Sequence, residues 1–332
     1  VYTLSGSCTA SATVTVNPVP AAITGSGSMC VGSCVTLSDA TASGTWVSSN
    51  TTVATVGSAS GVVCGGSSTG TATISYILTT TGCYATTVVT VNNAPSPILG
   101  SLSVCLGNTT NLTHASGAGT WTSSNTGVAT IGSSSGLVTS VAVGTTSITY
   151  TLPGGCFAVA TLTVNPLPAA IGGNAPFCVS TTITLTDATG GGTWTSSNLA
   201  VATVGLGTGV VTGVTPGTAT ITYTVTATGC YITTDVTVNA LPSTPTGTLS
   251  MCVGSCTTLT SATPGGTWTS GNIGVAVAGS ATGIVCGVSA GTANISYTSP
   301  SGCKAFATVT VTGLPAAITG VLSICPGATT VV

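Results

Sequence analysis

A single phrase recurs four times along this chain and limits what it can fold into. Gly44-Thr45-Trp46 followed by Ser48-Ser49-Asn50 returns as Gly119-Thr120-Trp121 with Ser123-Ser124-Asn125. It returns again as Gly192-Thr193-Trp194 with Ser196-Ser197-Asn198, and more loosely as Gly266-Thr267-Trp268 with Ser270 and Asn272. The tryptophans stand 75, 73 and 74 residues apart. A period of that size describes a row of small domains, each with its own core, rather than one large core. It predicts length and reach, and argues against a single catalytic cleft.

Proline-bearing segments recur at one phase of the period: Pro18-Val19-Pro20, Ala94-Pro95-Ser96-Pro97, Pro166-Leu167-Pro168, Leu241-Pro242 and Leu314-Pro315. Proline cannot continue a β-ladder and stiffens a linker. These segments divide the chain into a partial repeat at 1–17 (a last hairpin), complete units at 18–93, 94–165, 166–240 and 241–313, and a partial repeat at 314–332 (first strands). Val1 falls inside a repeat, so the sequence reads as part of a longer array. Its partial ends are either cut points or strand-exchange partners between subunits.

The unit at 18–93 alternates Val, Ile and Thr with Gly/Ser turns and has no helical period. Strands are expected at 21–24, 35–37, from 44, 53–56, 62–64, 71–76 and 84–91. Seven short strands in so few residues predict an all-β fold. The expected architecture is a tandem array of immunoglobulin-like antiparallel β-sandwiches. Trp46, Trp121, Trp194 and Trp268 fall on the third strand of each unit and are expected in the cores.

Charge is almost absent. Lys304 is the only basic side chain, Asp39, Asp187 and Asp235 are the only acids, and His114 is the only histidine. Charged residues make up 1% of the chain, against about a quarter in ordinary globular proteins. Without a basic patch there is nothing to neutralise phosphates, which argues against nucleic-acid binding. General acid–base catalysis needs positioned titratable groups. His114 occurs in one unit only and reads as a solvated loop or strand-end residue. No enzyme, catalytic residue, cofactor or metal is expected. The 42% apolar content is too high for a disordered chain. No run of 18 uninterrupted apolar residues occurs, so no membrane span is expected in this segment.

Fourteen cysteines with a single histidine read as disulfides rather than zinc sites. They place the chain outside the cytosol, at the cell surface or beyond.

One run carries a family resemblance: Thr45-Trp46, Ser48-Ser49-Asn50, Val53-Ala54-Thr55-Val56, Gly61-Val62-Val63 and Gly70-Thr71-Ala72-Thr73-Ile74. It resembles the bacterial immunoglobulin-like group 2 repeat, and the unit containing Trp194 fits best. The fold is that of invasin- and intimin-like adhesins. The cysteine-bearing version, with joints such as Val164-Asn165-Pro166-Leu167-Pro168, is similar to the repeats of giant Bacteroidota surface proteins, gliding-motility adhesins among them. The resemblance implies an extracellular stalk or filament and transfers no catalytic residue.

The cysteines are informative because the repeats can be compared with one another. Two units carry an extra pair, Cys34/Cys64 and Cys256/Cys286. The other two have Thr109/Thr139 and Thr182/Thr212 at the matching positions. Cysteine changes with cysteine and threonine with threonine, which is expected of a cross-strand disulfide replacing a cross-strand Thr–Thr pair. The remaining cysteines form two series. Cys30, Cys105, Cys178, Cys252 and Cys325 sit at the first turn. Cys8, Cys83, Cys156, Cys230 and Cys303 open the last strand. Pairing within a unit, Cys30 with Cys83, is the obvious choice. A strand from 84 to 91 would hold those two apart by roughly 26 Å, far beyond the reach of a disulfide. The end of one unit meets the start of the next, which favours inter-repeat staples: Cys30–Cys156, Cys105–Cys230 and Cys178–Cys303. Both pairings stand at this level.

Together these features predict a structural or adhesive segment of an extracellular filament, a rigid rod stiffened by disulfides and proline rather than calcium. Its expected partners are further repeats of the same or a longer chain, with lateral self-association favoured by near-zero charge. Surface glycans are a further partner class. The alternative is a glycan- or ice-binding module that uses Thr-rich strand faces such as Thr71-Ala72-Thr73 and Thr218-Ala219-Thr220.

Overall fold

A computed structural model describes all residues except 4, 8, 318, 320–325 and 328–332. The partial repeat expected at 314–332 therefore lies largely outside the described residues, as do Cys8 and Cys325. The chain forms two compact units, Val1–Pro166 and Leu167–Val332. Among the described residues there are strands and no helices.

The first unit opens with a short antiparallel ladder of β1 (Tyr2–Thr3) and β2 (Thr9–Ala10). A complete sandwich follows: β3 (Ser28–Cys30), β4 (Cys34–Thr36), β5 (Gly44–Ser48), β6 (Ala54–Val56), β7 (Val62–Gly65), β8 (Gly70–Leu78) and β9 (Tyr84–Asn92). One sheet has the order β3-β9-β8-β5 and the other β4-β7-β6. The same four-plus-three arrangement recurs from Ser103–Cys105 to Phe157–Asn165 in the first unit. In the second unit it recurs from Phe177–Cys178 to Tyr231–Asn239 and from Ser250–Cys252 to Lys304–Thr312.

The seven strands per sandwich differ from the sequence expectation in one element. Residues 21–24 form no strand and contribute a single bridge, Thr24 to Ser38. The first strand is Ser28–Cys30, and it pairs parallel to the end of β9, with Cys30 beside Asn92. Pro18 and Pro20 remove backbone donors ahead of residue 21, and Gly25 turns the chain with φ of 129°, a value that favours glycine. All the other strand pairings in this sandwich are antiparallel.

Alternation along β8 and β9 sorts side chains by face. Ala72, Ile74, Tyr76, Val89 and Val91 point inward and are buried with Trp46, Leu37 and Val63. Equivalent clusters surround Trp121, Trp194 and Trp268. Each tryptophan lies opposite a tyrosine on the neighbouring strand: Trp46 with Tyr76, Trp121 with Tyr150, Trp194 with Tyr223 and Trp268 with Tyr297. The ring centroids are 4.7–4.8 Å apart and tilted, within the favourable range for aromatic pairs.

Local hydrogen bonds explain why the Gly-Thr-Trp phrase recurs. The Tyr76 hydroxyl donates to the Thr41 carbonyl at 2.6 Å and accepts from the Gly44 N–H at 2.9 Å. A Cβ on Gly44 would overlap the Tyr76 ring, so only glycine lets the backbone approach the hydroxyl. In the Ser-Ser-Asn segment, Ser48 Oγ donates to the Ala54 carbonyl at 2.7 Å, and the Asn50 carbonyl accepts from the Ala54 N–H at 2.9 Å. Together these bonds turn the chain from β5 into β6.

Candidate functional site: disulfide joints and aromatic corners

β4 and β7 bring Cys34 and Cys64 directly opposite each other. Their sulfurs are bonded, with Cα atoms 4.1 Å apart. Cys256 and Cys286 repeat this in the last sandwich, at 4.0 Å. The threonine pairs Thr109/Thr139 and Thr182/Thr212 occupy the same register in the other two. The double change Cys34→Thr/Cys64→Thr therefore installs a pair that the fold already accepts. It is expected to lower the stability of the first sandwich by about 3 kcal/mol, the chain-entropy value for a 30-residue loop less a small Thr–Thr gain. Chemical denaturation monitored at Trp46 measures it.

The joint cysteines are positioned by the parallel strand. Cys30 lies beside Asn92, where the chain leaves the first sandwich, and Cys83 precedes the other end of the nine-residue β9. The length of β9 separates the two, so pairing within the sandwich is out of reach. Cys30 is instead bonded to Cys156, in the hairpin turn of the following sandwich, with Cα atoms 5.8 Å apart. The same turn accepts a hydrogen bond from Asn92 Nδ2 to the Gly154 carbonyl at 3.2 Å. The second unit repeats the arrangement: Cys178 lies beside Asn239 and is bonded to Cys303, Cα atoms 5.7 Å apart. Cys105 and Cys230 each take part in a disulfide. Among the described cysteines, Cys83 and Cys252 are free thiols.

The four tryptophans are buried in their sandwiches. His114, read from the sequence as solvated, is half-buried. Its ring stacks on Tyr150 with centroids 3.4 Å apart and lies 5.4 Å from Trp121. Sequence reasoning missed this placement. The available signal was positional: His114 follows Leu112-Thr113 as Asp39 follows Leu37-Ser38, at the edge of the aromatic corner.

Asp39 and Asp187 occupy equivalent corners. Each caps its loop, with Oδ1 accepting from the Thr41 N–H at 2.8 Å and the Thr189 N–H at 2.7 Å. A recess of about 260 Å³ adjoins Asp39, Trp46, Ser60 and Tyr76, and one of about 300 Å³ adjoins Asp187, Trp194, Thr208 and Tyr223. Among the described residues no group of three His, Cys, Asp or Glu side chains is placed to hold a metal ion. No helix among them is long and apolar enough to cross a membrane.

Residues 158–234 match the family model of the bacterial Ig-like domain (group 2). The match starts in the last strand of one sandwich and ends in the last strand of the next, so it spans about one repeat of bacterial Ig-like type. No curated protein matches the chain. Among solved structures, a C-terminal fragment of intimin in complex with the translocated intimin receptor's intimin-binding domain is 17% identical, over 46% of this chain and 67% of that one, with a TM-score of 0.31. Invasin, a bacterial integrin-binding protein, is 12% identical over 87% of this chain and 79% of its own, with a TM-score of 0.30. The S-layer protein rSbsC(31-844) is 18% identical over 90% of this chain, which spans 55% of that structure, with a TM-score of 0.22.

Proposed function

We propose that this chain is a structural or adhesive segment of an extracellular bacterial surface filament or stalk, of the giant-adhesin kind seen in Bacteroidota, and not an enzyme. The observation that carries the reading is the joint disulfide. Cys30–Cys156 and Cys178–Cys303 each tie the exit of one sandwich to a turn of the next. Tandem domains move relative to one another by default, and arrays that need stiff joints commonly use calcium. Calcium sites take several carboxylates, and the three aspartates of this chain are too few to supply every joint. Disulfides with proline linkers make a metal-independent rod. The disulfides also support an oxidising, extracellular setting. Repeat boundaries at 18, 94, 166 and 241, and a Cys105–Cys230 staple of the same spacing as the others, belong to this reading. Further repeats of the same or a longer chain are its partners.

Small-angle scattering of the full chain tests the rod. The maximum dimension is expected to stay constant in EDTA, and the profile to broaden toward that of a flexible chain after reduction. Collapse in EDTA with indifference to reductant would overturn the reading. Non-reducing peptide mapping tests the staples separately.

One observation favours a second reading. In the sandwich around Trp194, the outward face of the four-stranded sheet carries threonines in facing register: Thr193 with Thr224, Thr195 with Thr222, Thr222 with Thr233, and Thr218 with Thr237. Ala219 and Ile221 fill the inward positions. Such a hydroxyl array suits a glycan or ice surface. Loss of ice-recrystallisation inhibition or of polysaccharide retention in a Thr222→Lys variant is the corresponding test.

A further inference from the structure

In the second sandwich the last strand, Phe157–Asn165, lies between the short first strand and the long strand Gly144–Thr151. The first strand, Ser103–Cys105, runs parallel to it and covers only Thr163–Asn165. The rest of that edge is bare. At the hairpin the Leu152 N–H donates to the Cys156 carbonyl, and the antiparallel ladder alternates from there. Ala158 and Ala160 therefore turn their N–H and C=O groups toward the neighbouring strand. Phe157, Val159 and Thr161 turn theirs to the free edge, where no backbone hydrogen bond meets them among the described residues. Their side chains stand on the outward face, and Phe157 and Val159 are 63% and 54% exposed.

The same edge is guarded in the third and fourth sandwiches. The chain has only four charged side chains, and two of them stand on this edge. Asp235 takes the position of Thr161, and Lys304 takes that of Phe157; both are exposed. In the third sandwich Asn174 Nδ2 also donates to the Asp235 carbonyl at 2.7 Å, which occupies an edge acceptor directly. Charges and caps of this kind block the addition of another strand. The second sandwich has neither. Residues 94–165 contain no Asp, Glu, Lys or Arg, and Ser101, at the position of Asn174, donates instead to the Ser103 carbonyl at 2.7 Å.

We propose that the edge at Phe157–Thr161 pairs with the same edge of a second copy of this chain, antiparallel about a two-fold axis at Val159. The edge is self-complementary in that arrangement. Val159 faces its own counterpart, and Phe157 faces Thr161 of the other copy, a pairing of aromatic with β-branched residues that suits cross-strand neighbours. About six backbone hydrogen bonds close the new ladder, and the two sheets become one. A formal net charge of −2 offers little repulsion between copies. The first sandwich leaves Tyr84, Thr86 and Val88 bare in the same way, but its central pair would be two threonine hydroxyls instead of two valines. The contact is of the small, transient class, so it depends on concentration. It extends the filament reading to a lateral partner. The two fail separately, because the rod responds to reductant and the pairing to dilution.

Amide exchange of the full disulfide-bonded chain, read residue by residue across a dilution series with sedimentation equilibrium alongside, tests the pairing. The N–H groups of Phe157, Val159 and Thr161 are expected to be protected in the dimer and to exchange fast in the monomer. Those of Ala158 and Ala160 should be protected in both. Contact between outward faces would leave the three edge amides unprotected. Val159→Lys places two like charges opposite each other and is expected to weaken dimerisation about tenfold or more; its exposure leaves the monomer's melting unchanged. Ser101→Asn copies the Asn174 cap without touching the strand and is expected to weaken the dimer as well. Thr86→Lys, on the edge of the first sandwich, should have no effect. The proposal is overturned if the chain stays monomeric, or if the edge amides are protected equally at every dilution, which would mean that the chain covers its own edge. It is also overturned if Val159→Lys and Ser101→Asn dimerise like the parent, or if Thr86→Lys abolishes the dimer.

Discussion

Replacing Trp194 with alanine is expected to destabilise its sandwich by about 3–5 kcal/mol, the range for a fully packed indole removed from a core. Trp194 is 5% exposed, pairs with Tyr223 at 4.7 Å and packs among Leu185, Val211, Ile221 and Val236. A single domain of this size holds roughly 4–11 kcal/mol in total. The loss is therefore a large share of its stability, and the effect is confined to one bead because each core is separate. Amide exchange is expected to become fast across residues 166–240 while the strands from Ser250–Cys252 to Lys304–Thr312 keep their protection. Protection unchanged in the variant would show that the tryptophan is not the centre of its core.

Removing the staple with Cys30→Ser/Cys156→Ser is the other large effect. The bridged residues are 126 apart, which corresponds to about 5 kcal/mol in the chain-entropy model. The hydrogen bond from Asn92 to Gly154 that remains at the joint is worth about 1 kcal/mol and cannot hold two domains in one orientation. Calorimetry of the full chain is expected to show the melting of the first two sandwiches shift down and separate. Backbone relaxation should then report independent tumbling of the two. A melt that matches the parent protein would assign the bond no structural role.

Much of this architecture is legible in the residues, and the reasons differ by element. The bead count follows from the Gly-Thr-Trp phrase because each of its residues has a mechanical role. Glycine clears the tyrosine ring, tryptophan fills the core and threonine faces outward. The Cys34/Cys64 pairing is visible because two units replace both members together, which marks adjacent positions without any knowledge of strand order. The strand Ser28–Cys30 is not legible. It is three residues long, sits in a Gly/Ser-rich stretch with no alternation to read, and is held by a parallel ladder to residues some sixty positions away. The aromatic corner is half legible. Tyrosine and tryptophan announce a core, but the closeness of Asp39, His114 and Asp187 to those rings depends on how one loop crosses the end of the sheet.

The two joint disulfides also decide where tension travels. A pull along the backbone follows the shortest covalent route. Force arriving at Cys30 crosses to Cys156 and leaves residues 31–155 slack. Force arriving at Cys178 crosses to Cys303 and bypasses residues 179–302. Unravelling either loop would release roughly 400 Å of extended chain, and the sulfur bridge withholds that length. The strands Phe157–Asn165 and Lys304–Thr312 follow the two bridges and stay on the covalent route, so load falls on the last strand of the second and of the fourth sandwich while the rest of each loop is shielded. Reduction of the two bridges would return residues 31–155 and 179–302 to that route, so the length the chain can release under load depends on the redox chemistry of its surroundings.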